Sequence, residues 1–475
     1  MNSKQLKGGS FDHDDILKHA VKTARSAGAK AAIAKTLENT EHQIRWSNSA
    51  IDISKQWNTC ILELFLTKRR RIDVLTIRDP TIEKINEMVP KKIKSLCKLP
   101  RTLLYWGMTR KKHTAPQINA LYDPKSIKFY ERAPKVINDS IDAALSKGAK
   151  KVAGALYFGH RRTGVLTSKD NGGVYDSSYY QFTIRSFVDA ESSGQQNVVG
   201  RNLDDVDSKF ISGAKKSGEI AAQCVGGEQG KAGKYDVILS PTVAANIFGY
   251  LLDGANPVYM IGKMSCLSKK MNKKVAPESI SVSDNGRIPE GLNSRPFDFE
   301  GYPSQETPLI KDGRFVGMIH NTSTARIWKL LGRFRTKTTG NSFLGSVVMG
   351  DYGPKVLAPL PTNRVFDPGS IEFDEMVADS KKPTIYVTSN WYTRFTNNLE
   401  GVFSTIPRDG IFLIENGQIQ KSIRKIRIAD ALPRMLRSII AVGNDVKQIR
   451  WWEVETPTFI PHLKIKDVPI TAATK

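Results

Sequence analysis

Residues 308–319 read Pro-Leu-Ile-Lys-Asp-Gly-Arg-Phe-Val-Gly-Met-Ile, which sets the pair Asp312-Gly313 between two apolar runs. A two-residue hairpin loop needs positive φ at its central positions, and Asp-Gly and Asn-Gly supply that with least strain. A hairpin at 311–314 therefore commits this part of the chain to antiparallel pairing. Asn416-Gly417 repeats the signal between extended runs at 411–415 and 423–428, and another run covers 384–388. Helices interrupt the pattern. Residues 241–252 follow the helix-start sequence Ser240-Pro241-Thr242 and carry Val243, Ala244, Ile247, Phe248, Leu251 and Leu252 at helical spacing. A short helix around Ala325, Ile327, Trp328 and Leu331, and a final one over 430–442, precede a strand-like 447–455.

The N-terminal half has a different texture. Over 14–27 the spacing of Ile16, Leu17, Ala20, Val21 and Ala24 predicts an amphipathic helix, with Gly28 placed to stop it. Extended runs follow at 31–37, 41–46, 59–67 and 72–77, then a second helix over 80–98. The segment Ser26-Ala27-Gly28-Ala29-Lys30 is echoed 120 residues later by Ser146-Lys147-Gly148-Ala149-Lys150, again closing a helix and again followed by extended runs. That order points to a duplicated helix–strand–strand unit. Tyr180, Phe182 and Ile184 alternate with polar residues in a strand expected within 175–197, and 204–225 reads as a helix. Gly226-Gly227-Glu228-Gln229-Gly230 lacks the spacing of a phosphate loop and reads as a linker.

These patterns give an α+β fold class: an N-terminal α/β region of duplicated helix–strand–strand units and a C-terminal, mainly antiparallel β domain with a few helices. The expected divisions are an N-terminal α/β domain at 1–115, a second α/β subdomain at 116–230 ending in the Gly-rich linker, and a β-rich domain at 231–475.

Charge is the unusual bulk property: 71 basic residues against 47 acidic leave +24. Basic clusters lie at 68–71, 110–113 and 269–274, and such patches attract nucleic acid or acidic partners. They are scattered and accompany no nucleic-acid module, so a solvated basic surface accounts for them. No apolar run is long enough to span a bilayer, and the opening segment has no signal-peptide core, which places the chain in the cytoplasm. Cys60, Cys97, Cys224 and Cys266 form no close pair and are read as reduced structural thiols.

Candidate chemistry is sparse. Asp12, Asp14 and Asp15 beside His13 and His19 are explained by helix capping and first-turn acids. His320 and His462, the only histidines of the C-terminal half, each stand alone in sequence. Asp298 and Glu300 would share a face of a strand, but the following Gly301-Tyr302-Pro303 gives them a turn to shape.

Several of these residues fall into one larger pattern. Asp298-x-Glu300-Gly301, Thr307-Pro308-Leu309-Ile310-Lys311-Asp312-Gly313, Ala325, Thr339-Gly340-Asn341, Thr388-Ser389-Asn390-Trp391-Tyr392-Thr393 and Glu415-Asn416-Gly417-Gln418-Ile419, in this order and spacing, resemble the TldD/PmbA (TldE) family of metallopeptidase-related proteins. The resemblance implies a heterodimer of related subunits. In the TldD subunit a helix bearing His-Glu-x-x-x-His and a later cysteine bind zinc. Two imidazoles one helical turn apart can hold the metal while a carboxylate takes a proton from its bound water. The matching helix here is 241–252, where Gly249, Tyr250 and Gly254 stand at degenerate metal-helix positions. Between residues 241 and 260 there is no His and no Glu, and no Cys follows Cys266.

The chain is therefore read as a TldE-like, non-catalytic subunit with no metal or cofactor of its own. It would pair with a zinc-bearing TldD-like subunit and help to bind or enclose peptides. Asp298, Glu300, Asp312, Gly340 and Asn341 are the candidate peptide or partner contacts. A basic nucleic-acid-binding protein, or an independent hydrolase with an unrecognised site, are the alternatives.

Overall fold

The computed structural model describes residues 12–103, 105–332, 336–346 and 355–472. The N-terminal region runs α1 (His13–Ser26), β1 (Ala31–Ser47), β2 (Ala50–Lys68), β3 (Arg71–Arg78), α2 (Ile82–Leu96), α3 (Ala133–Leu145), β4 (Lys151–Thr167), β5 (Gly172–Phe187), β6 (Ser193–Gly200) and α4 (Val206–Gln223). Its six strands form one antiparallel sheet in the order β3-β2-β1-β4-β5-β6. The duplication therefore extends to helix–strand–strand–strand–helix. β1 and β4 start and end 120 residues apart, and Thr40 pairs with its own counterpart His160, so a pseudo-twofold axis passes between them.

Some expected boundaries differ. The runs at 31–37 and 41–46 are one strand, because Glu38, Asn39 and Thr40 between them break the apolar pattern without supplying a turn. Conversely, 175–197 holds two strands, joined where Asp189 accepts the N–H groups of Glu191 and Ser192.

One sheet face carries the helices, packed on Leu62, Leu64 and Leu66 in one half and on Leu156, Phe182 and Ile184 in the other. The opposite face meets the C-terminal region, where Ile33, Phe65 and Val165 pack against Phe297, Phe299 and Leu344.

The C-terminal region adds β7 (Glu228–Gln229), β8 (Gly233–Leu239), α5 (Pro241–Asp253), α6 (Pro257–Ile261), β9 (Val282–Asn285), β10 (Glu306–Lys311), β11 (Arg314–Phe315), α7 (Thr322–Leu330), β12 (Ser342–Ser346), β13 (Lys355–Pro359) and β14 (Arg364–Phe366). It continues with α8 (Phe373–Ala378), β15 (Thr384–Asn397), β16 (Val402–Glu415), β17 (Gln418–Arg424), β18 (Ile426–Ala431), α9 (Leu432–Arg437), β19 (Ile439–Val442), β20 (Lys447–Trp451), β21 (Val454–Ile460) and β22 (Leu463–Ala472). Strands β8, β22, β18, β16 and β15 close into a ring, because β15 pairs with both β16 and β8. A second sheet, β11-β10-β9-β14-β21-β20, stands beside it. The pairing is mainly antiparallel, with parallel contacts at β8–β15, β14–β21 and β7–β17.

Both predicted hairpin turns form, with Asp312 and Gly313 at φ of 46° and 72°, and Asn416 and Gly417 at 53° and 73°. The strand after Gly313 is only two residues long, since Val316 and Gly317 both donate to the Leu309 carbonyl and end the ladder. The helix expected over 430–442 shortens to α9, and Ile439–Val442 pairs with β22 instead, as its β-branched residues favour. No helix among the described residues is long and apolar enough to cross a membrane.

Candidate functional site

Helix α5 begins where the sequence signals it, with the Ser240 side chain accepting the Val243 N–H and donating to the Thr388 carbonyl. Ten of its thirteen residues are buried, so it lacks the polar outer face of a surface helix. Its one buried amide, Asn246, organises a polar network. Asn246 Nδ2 donates to the carbonyl and Oε2 of Glu453, at 2.9 and 3.3 Å, while its Oδ1 accepts from Asn390 Nδ2 at 2.9 Å and from the Thr393 hydroxyl. Thr405 Oγ1 closes the group, accepting from Asn390 Nδ2 at 2.8 Å and lying 2.8 Å from Thr393 Oγ1. Glu453 Oε1 accepts the Tyr392 N–H at 2.9 Å and lies 3.6 Å from Arg394.

The degenerate metal-helix positions lie in the last turns and at the C-cap of α5. Tyr250 reaches the surface with its ring 4.8 Å from Phe395, and burial, with Glu453 next, pushes its hydroxyl pKa up. Gly249 is buried against Arg364, whose Nη1 would stand 2.7 Å from an added Cβ, and that guanidinium pairs with Asp253 one turn on. Gly254 receives the Ser265 hydroxyl on its carbonyl at 2.8 Å. These donors do not suit zinc. The helix and its neighbours present amides, a phenol, one half-buried thiol at Cys266 and two carboxylates already engaged, Asp253 by Arg364 and Glu453 by Asn246 and the Tyr392 N–H, with no imidazole.

Over the network lies an exposed ring cluster. Tyr392 and Trp452 are 46% and 52% exposed, and their rings contact Trp391 and each other edge to face at 5.6 to 6.1 Å. The guanidiniums of Arg185 and Arg408 sit 4.9 and 5.1 Å from the Trp391 ring centre, and that of Arg394 is 5.5 Å from Tyr392.

The other predicted residues lie in a second, buried cluster. Asp298 accepts three backbone N–H groups, from Glu300 at 2.8 Å, Tyr302 at 3.0 Å and Ser342 at 2.8 Å. Glu300 accepts the Thr322 N–H through Oε2, with the Thr322 and Ser342 hydroxyls beside its carboxyl. Burial and then the neighbouring Asp298 charge raise the Glu300 pKa, whereas three amide donors oppose burial at Asp298. Burial therefore leaves both carboxyls raised, Glu300 further than Asp298. Asn341 is buried as well, donating to Asp284 at 2.7 Å and to the Leu360 carbonyl at 3.0 Å. Gly340 is buried at φ 75° beside Pro303, and of the five candidate contacts only Asp312 is exposed, at its turn tip.

The remaining candidates take structural places, though the buried Nε2 of His320 has no hydrogen-bond partner among the described residues. Asp12 caps α1 through the N–H groups of Asp14 and Asp15. His462 is held between Asp445 at 2.7 Å and the Tyr386 hydroxyl at 3.2 Å, and burial lowers the pKa of His320 to about 4. Burial raises the thiols of Cys60 and Cys266 to about 11 and that of Cys224 to about 12, so none is a ready thiolate. Among the described residues no three His, Cys, Asp or Glu side chains gather in a metal-binding group.

The family model of the PmbA/TldA metallopeptidase C-terminal domain matches residues 232–472, which holds α5, the ring cluster and the buried acids together. The chain belongs to the PmbA/TldD family. Metalloprotease PmbA of Escherichia coli O157:H7 is 25% identical over 214 residues, covering 45% of this chain and 42% of that protein. A Synechocystis metalloprotease is 23% identical over 68% of this chain and 67% of its own length. Among solved structures, TldE of Thermococcus kodakarensis superposes with a TM-score of 0.81 at 17% identity, over 96% of this chain and all of that one. A candidate DNA gyrase modulator of Thermotoga maritima gives 0.82 at 19%, over 97% and 100%. The PmbA/TldD fold therefore extends over the whole described chain, at identities that speak for the fold alone. Sequence reasoning reached Tyr250 and quoted the Thr388–Thr393 motif as a family mark, but missed Asn246, Glu453 and Trp452 as members of one site. The adjacent pair Trp451-Trp452 before Glu453 was the available signal.

Proposed function

We propose that this chain is the non-catalytic, TldE-like subunit of a TldD/TldE-type metallopeptidase, helping to bind or enclose peptides that a zinc-bearing partner cleaves. One observation carries the reading: the helix that would bear the metal ligands instead spends its buried polar group, Asn246, on Glu453 and Asn390. A helix bonded in this way supports a peptide-binding surface rather than performing the hydrolysis. The fold shared with a protein solved as TldE supports the same subunit type. The partner is a TldD-like chain and the ligand a peptide.

Affinity purification of the chain from its native host, followed by metal analysis of each co-purified subunit, tests this. The expected result is a related chain that carries zinc, with none on this one. Stoichiometric zinc and peptide cleavage by this chain alone would refute it.

A further inference from the structure

We propose that the ring cluster of Trp391, Tyr392 and Trp452, with Arg394 and Arg408, is a docking platform for an acidic peptide segment. This gives the peptide-binding reading a place and a ligand chemistry, and it rests on that reading. Scattered exposed apolar residues need no explanation, but two exposed aromatic rings packed on each other and on a half-buried third do. Trp, Tyr and Arg are also the residues that dominate binding hot spots.

Backbone strain sharpens the point. Tyr392 has φ 56°, a conformation that costs a bulky residue about 1–2 kcal/mol. Glycine or asparagine would turn the chain there more cheaply. Tyr392 is held by its N–H bond to Glu453, which Asn246 in turn fixes from α5. Strain of this kind persists where the surroundings over-determine it and its product is used. Here the product is an aromatic ring held outward in one orientation, with little conformational freedom left to lose on binding.

Charge selects the occupant. The cluster's own carboxylate, Glu453, lies beneath the rings with its side chain 2% exposed. Arg408 is exposed and has no ion-pair partner among the described residues, and the Arg394 side chain is 61% exposed. The outward face is thus cationic and aromatic, which complements carboxylates interspersed with apolar side chains. Single-stranded nucleic acid also uses arginine and aromatics, but base stacking needs an open ring face. Two guanidiniums crowd the Trp391 ring, and the three rings meet one another by their edges.

Fluorescence anisotropy on the full chain tests the proposal, using a labelled peptide of alternating glutamate and tyrosine, its glutamine counterpart and a labelled oligothymidylate. We expect the acidic peptide to bind at least about tenfold more tightly than the glutamine peptide, and Trp452→Ala or Arg394→Gln to weaken it about fivefold or more. Tyr392→Gly should weaken it similarly while leaving the melting temperature unchanged or higher, because glycine adopts this φ without strain. Absence of acidic-peptide binding, equal affinity for the glutamine peptide, or indifference to all three variants overturns the proposal. So does tighter binding of the oligothymidylate that the same variants abolish. The subunit reading fails separately: if no metallopeptidase co-purifies but the peptide still binds through these residues, the platform stands and the pairing falls.

Discussion

At the scale of single residues, Asp298 and Glu300 show how two neighbouring carboxyls divide their roles. The sequence placed both in a turn, and the Asp298 bonds to the Glu300 and Tyr302 amides are what shape it. What spacing could not reveal is their depth, at 1% and 0% exposure, because the groups that hold them, at Ser342 and Thr322, lie 44 and 22 residues further along the chain. Burial and the Asp298 charge raise the Glu300 pKa above its unfolded value of about 4.3. The folded state therefore binds a proton that the unfolded state releases. This contribution is fully present below the unfolded value and is lost as pH rises through the raised folded one. Glu300→Gln, which cannot ionise, should gain stability relative to the parent as pH rises through that window, measured as the difference in urea midpoints. A flat difference would mean that Glu300 is ionised in the fold. Asp298→Asn should cost roughly 3 kcal/mol at neutral pH, because one amide oxygen cannot accept the three N–H groups that now meet a carboxylate.

At the scale of elements, legibility tracked sequence separation. The tight turns, the caps of α1 and α5 and the repeated helix stops at Gly28 and Gly148 are local, and each was readable from its own residues. Closure of the β8-β22-β18-β16-β15 ring was not, since β8 pairs with a strand more than two hundred residues later and no composition marks that partner. The same holds for the site: Asn246 and Glu453 are 207 residues apart, so neither announces the other. The local turns give a controlled comparison. Gly313 (φ 72°) and Gly226 (φ 71°) have nearly the same backbone, but an added Cβ at Gly313 would lie 2.6 Å from the Pro277 carbonyl oxygen, whereas at Gly226 it would meet nothing within 4 Å. Gly226→Ala should therefore cost only the left-handed penalty of about 1 kcal/mol. Gly313→Ala adds a backbone clash and should cost at least about twice that, read from urea midpoints at constant m. Equal costs would show that the loop before β9 moves aside freely.

At the scale of the whole molecule, the two halves are joined by polar contacts buried as deeply as the apolar ones. Arg201, 4% exposed, donates Nε to the Gly291 carbonyl, Nη1 to Leu121 and Ser178, and Nη2 to Leu292 and Ser294. These five carbonyls match the five N–H groups of a guanidinium, and they come from both the N-terminal sheet region and the loop leading to Phe297. Burial lowers the Arg201 pKa to about 10, which leaves it charged at neutral pH. Further along the same sheet, Arg185 of β5 pairs with Asp409 of β16 at 2.7 Å, on the same guanidinium that covers Trp391. The position of the ring cluster is thus set partly by the N-terminal sheet, so the halves must stay docked for the platform to keep its shape. Arg201→Met would retain much of the volume and strand the five carbonyls, at a cost of roughly 3–5 kcal/mol. Arg201→Lys keeps the charge and three donors and should cost less. Because the lost contacts lie between the halves rather than inside either one, the methionine variant should separate one calorimetric transition into two and weaken acidic-peptide binding at a distance. A single transition lowered equally by both substitutions would mean that Arg201 stabilises the molecule as one unit and does not govern the docking of its halves.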